Sequence, residues 1–154
     1  MSSTTRTLHF AISAPRSSAT AEILGLKHAP TNELGWATLA QTGLPSSVVV
    51  AVARVLGWTR HQLVEALDLV PRTVARRLRR KELLTTPESE RVLRLARILA
   101  RATEVLEGPD KARAWLVQPS VALGDRSPLE LLRTDIGTEL VQNELVKIDY
   151  GMFA

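Results

Sequence analysis

The chain has 154 residues, of which 45% are hydrophobic and 23% charged, a globular composition that excludes a disordered or fibrous protein. It has no cysteine, which excludes a disulfide scaffold, a thiolate zinc site and a cysteine nucleophile. The net charge of +4 conceals a segregation: residues 54–101 carry 12 Lys+Arg against 5 Asp+Glu, and residues 102–154 carry 5 against 9. Sixteen of the 20 basic residues are arginine, the side chain suited to bidentate phosphate and guanine contacts. A basic middle before an acidic end suggests two surfaces with different partners; a solvated helical face is the plainer reading of such a run. No apolar run approaches a membrane span and no apolar stretch follows Met-Ser-Ser-Thr-Thr-Arg, so the expectation is a cytoplasmic protein.

Residues 1–30, rich in Ser, Thr, Ala and Pro, read as an arm with a short strand at His9–Ile12 and a short helix from Ala19 to Leu26. Beyond it prolines punctuate the chain. Pro45, Pro71, Pro87, Pro109 and Pro128 each precede an apolar-periodic run, where a first-turn proline forfeits no hydrogen bond. Gly43, Gly57 and Gly108 follow such runs at C-cap positions. Thr86 and Ser127 supply N-cap hydroxyls, and Ser127-Pro-Leu-Glu130 is a capping box. With few aromatics and 24 leucines, the pattern predicts an all-α chain. Its helices lie near 32–41, 45–56, 60–67, 71–80, 87–106, 109–117, 128–133 and 136–149. The domain reading is an arm at 1–30, a DNA-binding region at 31–84 and a second helical domain at 85–154. In the longest helix Arg94, Arg97 and Arg101 form a stripe beside the apolar face, readable as solvated, as a partner surface or as part of the basic footprint.

Thr59 to Lys81 carries the most specific local pattern. Leu63 and Leu67 share one face of a short helix, Asp68 stands where a tight turn wants positive φ, and Leu69 turns inward. Pro71 opens a second helix that Val74 and Leu78 hold on the first. Arg72, Thr73, Arg76 and Arg77 then face outward to read or clamp DNA. Arg60, Arg79, Arg80 and Lys81 supply phosphate contacts, and His61 reads as a surface or phosphate-contacting side chain. The run Leu63, Val64, Leu67, Asp68, Leu69, Val70, Thr73, Val74, Ala75, Arg76 resembles the Xre/Cro class of helix-turn-helix proteins. It departs from that class at Asp68 (a turn glycine there), Val70 (a capping serine) and Val64 (a small alanine), so the start of the second helix rests on Pro71. One such motif reads one half-site, so a homodimer is expected.

In the C-terminal half the order is Glu88-Ser89-Glu90-Arg91, Ala112-Arg-Ala-Trp115-Leu116, Gln118-Pro119-Ser120-Val-Ala-Leu123-Gly124, then Ser127-Pro128-Leu129-Glu130-Leu131-Leu132. Thr134-Asp135-Ile-Gly137 and Tyr150-Gly151 complete it. Read as residues, Trp115, Leu116, Leu123, Leu129, Leu131 and Leu132 are core, Asp135 caps the last helix, and Glu88–Arg91 is a charged first turn suited to the helix dipole. The terminal Tyr150-Gly151-Met152-Phe153-Ala154 is unusually apolar for a chain end. It either folds back on its own core or docks in a partner's cleft. The whole run of 87–154 closely resembles the toxin-binding domain of the Xre/MbcA/ParS antitoxins. That resemblance implies a type II antitoxin whose C-terminal residues Tyr150 to Ala154 occlude the active site of a cognate toxin, commonly a RES-domain enzyme that consumes NAD. It also implies that the middle region represses the antitoxin's own operon.

Signals for catalysis are absent from the sequence. His9, His28 and His61 lie on separate segments, the eight glycines are isolated, and no G-x-S-x-G elbow occurs. The chain is therefore expected to be a non-enzyme without cofactor or metal. The alternative function is a free-standing helix-turn-helix repressor whose C-terminal domain only dimerises. Less favoured is a helical adaptor with a solvated basic face.

Overall fold

The computed structural model describes residues 17–151. Among them the regular structure is helical, with two isolated bridges, Pro45 to Leu83 and Ser120 to Arg126. The chain divides into two compact units, one ending at Leu93 and the other beginning at Arg94. The strand expected at His9–Ile12 lies outside the described residues.

The first unit comprises α1 (17–23), α2 (Glu33–Thr42), α3 (Ser47–Leu56), α4 (Arg60–Ala66), α5 (Pro71–Arg80) and the opening turns of α6 (Thr86–Val105). Helix α1 ends earlier than the expected Leu26 because Gly25 turns left-handed there, its N–H bonding the Glu22 carbonyl. Helix α3 is nearly all valine, alanine and leucine, and Val48, Val49, Val52, Ala53 and Leu56 are buried. Burial of that face, rather than helix propensity, holds so β-branched a segment in a helix. Pro45 does not open α3. It pairs instead with Leu83, where Leu84 N–H bonds the Leu44 carbonyl and Ser46 N–H bonds that of Glu82. Gly43 permits this approach: at φ 109°, a Cβ there would sit 2.4 Å from the Leu84 carbonyl oxygen. Trp36 is buried, and its indole N–H donates to Ser17 Oγ at 2.8 Å.

The second unit continues α6 and adds α7 (Pro109–Val117), a 3-10 turn (Val121–Leu123), α8 (Pro128–Leu131) and α9 (Asp135–Asp149). Caps expected from sequence are found with small displacements. Ser127 and Glu130 form the expected box at α8. At α6 it is Thr85, not Thr86, that exchanges bonds with Glu88, its hydroxyl accepting from Glu88 N–H and its own N–H donating to the carboxylate. At α9 Thr134, not Asp135, caps the helix by accepting from Gly137 N–H at 2.9 Å. Asp135 instead occupies the first turn, where its charge favours the helix dipole. Between α6 and α7 the left-handed position falls on Glu107, φ 58°, and Gly108 is extended. The sequence alone favours Gly108 for that role. Leu116, Leu123, Leu131 and Leu132 are buried as expected, while Trp115 and Leu129 are half-buried. No described helix is long and apolar enough to cross a membrane.

Candidate functional site

Two surfaces carry the chemistry. The first is built on α4 and α5. Thr59 caps α4 through a reciprocal box with Gln62, a T-x-x-Q signal visible in the sequence and overlooked there. The helix stops where Asp68 adopts φ 54°, as the turn was expected to require. Leu69 N–H then returns to the Val64 carbonyl at 2.9 Å. Helix α5 begins at Pro71 behind an extended Val70 that provides no side-chain cap, so the fixed φ of proline sets its start. Leu63, Val64, Leu67, Leu69 and Val74 bury the joint between the two helices.

At 3.6 residues per turn, Arg72, Arg76 and Arg79 fall within about 60° of arc on α5, with Arg80 flanking them. All four are exposed, as are Arg60 and Lys81, while Thr73 is half-buried. Arg80 stays 66% exposed although Glu82 lies 3.8 Å away. His61 faces Glu65 one turn along, at 3.2 Å. The helix thus presents a row of guanidinium groups from its first turn to its left-handed cap at Lys81.

Arg77 departs from the outward position expected of it. On the helical wheel it lies about 60° from the buried Val74, and only 17% of its side chain is exposed. Its Nη1 donates to the Leu83 carbonyl at 3.3 Å and its Nε lies 3.3 Å from Glu88 Oε2, an ion pair without hydrogen-bond alignment. Its own carbonyl accepts from Ser46 Oγ at 3.2 Å. Arg77 therefore anchors the end of α5 to α6.

The segment Glu88-Ser89-Glu90-Arg91 does more than favour a helix dipole. Glu88 closes the α6 cap and pairs with Arg77. Fully buried Ser89 accepts the Leu44 N–H at 2.9 Å. Arg91 donates to the carbonyl of Asp68, at the turn between α4 and α5, at 2.8 Å. Glu88 and Arg91 thus hold the arginine-bearing hairpin in place, and Ser89 ties down the segment between α2 and α3. Only the long-range contacts disclose this, since each partner is 11 to 45 residues distant.

The second surface lies on α9. Gly137, Thr138, Val141 and Leu145 form its buried side. Two arginines of α6 hold its ends: Arg94 bonds the Leu132 carbonyl at 3.1 Å and Asp135 at 2.5 Å, and Arg101 bonds Asp149 at 2.7 Å. Of the three readings of the arginine stripe, none covers these two residues, which are spent inside the unit. Tyr150 closes the helix by bonding the Val146 carbonyl, and Gly151 follows at φ 67°. Tyr150 is 75% exposed. Met152, Phe153 and Ala154 lie outside the described residues.

Among the described residues no cluster of His, Asp and Glu could hold a metal ion. Comparison with known proteins now separates the two surfaces. Residues 35–97 match the antitoxin Xre-like helix-turn-helix domain, and residues 101–151 match the antitoxin Xre/MbcA/ParS C-terminal toxin-binding domain. The chain belongs to the Xre/MbcA/ParS antitoxin family. It is 29% identical over 134 residues to a Prs ADP-ribosylating antitoxin of Sphingobium sp. strain YBL2, covering 81% of this chain and 82% of that one. An antitoxin Xre of Pseudomonas putida is 36% identical over 89 residues, 57% of this chain and 56% of that protein. One from Photorhabdus laumondii is 28% identical over 111 residues, 71% and 75% respectively. The antitoxin thus has a helix-turn-helix domain before a toxin-binding domain, and a toxin is its partner.

Proposed function

We propose that this antitoxin neutralises a RES-type, NAD-consuming toxin by occluding its active site, and that it represses its own operon as a homodimer. The observation that carries the reading is the pairing, on one chain, of an exposed arginine row on α5 with a toxin-binding unit ending in exposed Tyr150. Arg72, Arg76 and Arg79, with Thr73 near the helix start, read or clamp the major groove, and Arg60, Arg80 and Lys81 contact phosphate. Arg77 is left out of this set because its guanidinium is already engaged with Glu88 and the Leu83 carbonyl. Each protomer reads one half-site, and the half-sites lie about 34 Å apart. Tyr150, Gly151, Met152, Phe153 and Ala154 fill the toxin's substrate cleft, an aromatic anchor at the tip being a common hot spot. The name of the Sphingobium relative couples an antitoxin to ADP-ribosylation, chemistry whose donor is NAD, and so supports an NAD-consuming partner. The antitoxin itself performs no reaction in this scheme and acts in the cytoplasm.

The test is co-expression with the adjacent open reading frame, pull-down through a tag at residue 1, and measurement of cellular NAD with and without residues 150–154. Co-purification, with NAD falling only when the tail is missing, supports the scheme. A truncated chain that still protects NAD would sink the occlusion step. No co-purified partner and no change in NAD would favour the free-standing repressor.

A further inference from the structure

Helix α5 opens on a residue that neither caps it nor joins the core. Val70 has no side-chain oxygen to offer the N–H groups of the first turn, the service for which Ser, Thr, Asp and Asn are favoured at that place. It is 62% exposed, while Leu69 before it is 6% exposed and Val74 after it 1%. Between Thr59 and Lys81 it is the one exposed large aliphatic residue. Seven Lys+Arg stand against two Asp+Glu in that span, and Arg60, Arg72 and Arg76 are exposed along with it. A single apolar side chain needs no explanation on an ordinary surface. Here it belongs to a cationic one.

We infer that Val70 reads the 5-methyl group of one thymine in each operator half-site. This rests on the reading of α5 as the helix that enters the major groove. The occupant follows from the chemistry of that groove. Base edges there offer hydrogen-bond donors and acceptors, and their one apolar group is the thymine 5-methyl. The exposed arginines suit phosphates and guanine edges, which leaves the isopropyl group of Val70 with the methyl as its complement. The residue is also held ready for the contact. Its carbonyl accepts the Val74 N–H at 3.0 Å, its backbone is extended at φ −85° and ψ 113°, and buried Leu69 and the ring of Pro71 fix the chain on either side. A β-branched side chain has few rotamers to lose, so the contact forms at little entropic cost. A serine in this place would turn its hydroxyl back to cap the helix. The departure from the family pattern at Val70 is thus a gain of base readout in exchange for a cap.

The test uses the full antitoxin and the duplex upstream of its own gene, with footprinting at about 150 mM salt to define the half-sites. Each protected thymine is then replaced singly by deoxyuridine, which pairs identically and lacks only the 5-methyl. For the unaltered chain, replacing one particular thymine is expected to cost about fourfold in affinity in one half-site and about 15-fold in both, the effect of one buried methyl per site. Val70→Ser is expected to bind the thymine and deoxyuridine duplexes equally while melting no lower than the unaltered chain, because it supplies the missing cap. Val70→Ala should lose the discrimination as well. Arg76→Ala should bind both duplexes more weakly and keep their ratio. Equal binding of every deoxyuridine duplex by the unaltered chain would overturn the inference and leave the DNA-reading proposal standing. So would a thymine preference that survives in Val70→Ser, which would assign the methyl to another residue. If the unaltered chain binds its upstream duplex no more tightly than an unrelated one, the DNA-reading proposal itself fails and the inference falls with it.

Discussion

Ser89 and Gly137 are the residues on which local geometry makes the sharpest demands. The Ser89 hydroxyl is the acceptor for the buried Leu44 N–H across 45 residues. Alanine there leaves a backbone donor unpaired away from water, with an expected loss of about 1–3 kcal/mol. Urea denaturation should show a lower midpoint with an unchanged slope. Gly137 has no room for a side chain: a Cβ would sit 1.9 Å from the Leu131 carbonyl oxygen and 2.9 Å from the Thr134 hydroxyl that caps the helix. Gly137→Ala must push α9 away from α8, and an overpacking loss of about 1–3 kcal/mol or more is expected in a thermal melt. Here the glycine serves close approach of two backbones rather than an unusual φ, a reason invisible in the residue's neighbours along the chain.

At the scale of elements, helix α5 separates two kinds of arginine that composition treats alike. Replacing Arg76, which is exposed, should weaken operator binding by about 1–3 kcal/mol if it reaches a base edge, or lower the salt slope of binding by about one if it contacts phosphate. Replacing Arg77 removes the tie to Glu88 and Leu83. Arg77→Ala should therefore lower thermal stability while leaving the salt slope of operator binding as it was. A slope reduced as much as by Arg76→Ala would return Arg77 to the DNA surface. The helices themselves were legible because prolines and capping residues act locally. The bounds of α5 and α7 agree with those expected, and the other predicted helices differ by a few residues at most. Arg77 was misplaced because counting charges along the run ignored its angular position beside Val74. The roles of Ser89, Arg91, Arg94 and Arg101 were out of reach for a different reason: their partners are 23 to 48 residues distant in sequence. The tail was legible as an anomaly of composition alone.

For the molecule as a whole, the boundary between the two units does not fall in a loop. It falls between Leu93 and Arg94, inside the 20-residue helix α6. Sequence had suggested a break after residue 84, where the chain is locally extended. The structure gives the opening turns of α6 to the first unit, because Glu88, Ser89 and Arg91 bond there. A fragment of residues 1–84 should therefore lose helical signal and melt less cooperatively than one of 1–105. Equal melting of the two fragments by circular dichroism would show those bonds to be dispensable.

Helix α6 also bears on how such proteins can be recombined. Many modular regulators exchange sensing and DNA-reading parts through flexible linkers, which tolerate joints of any length. This chain offers no linker at that position: Arg91 serves one unit and Arg94, three residues later, serves the other. A chimaera that grafts a new partner specificity onto this DNA reader must be spliced within one helical turn. Each exchanged part must then keep the arginine that its own unit uses, Arg91 for the first unit and Arg94 for the second.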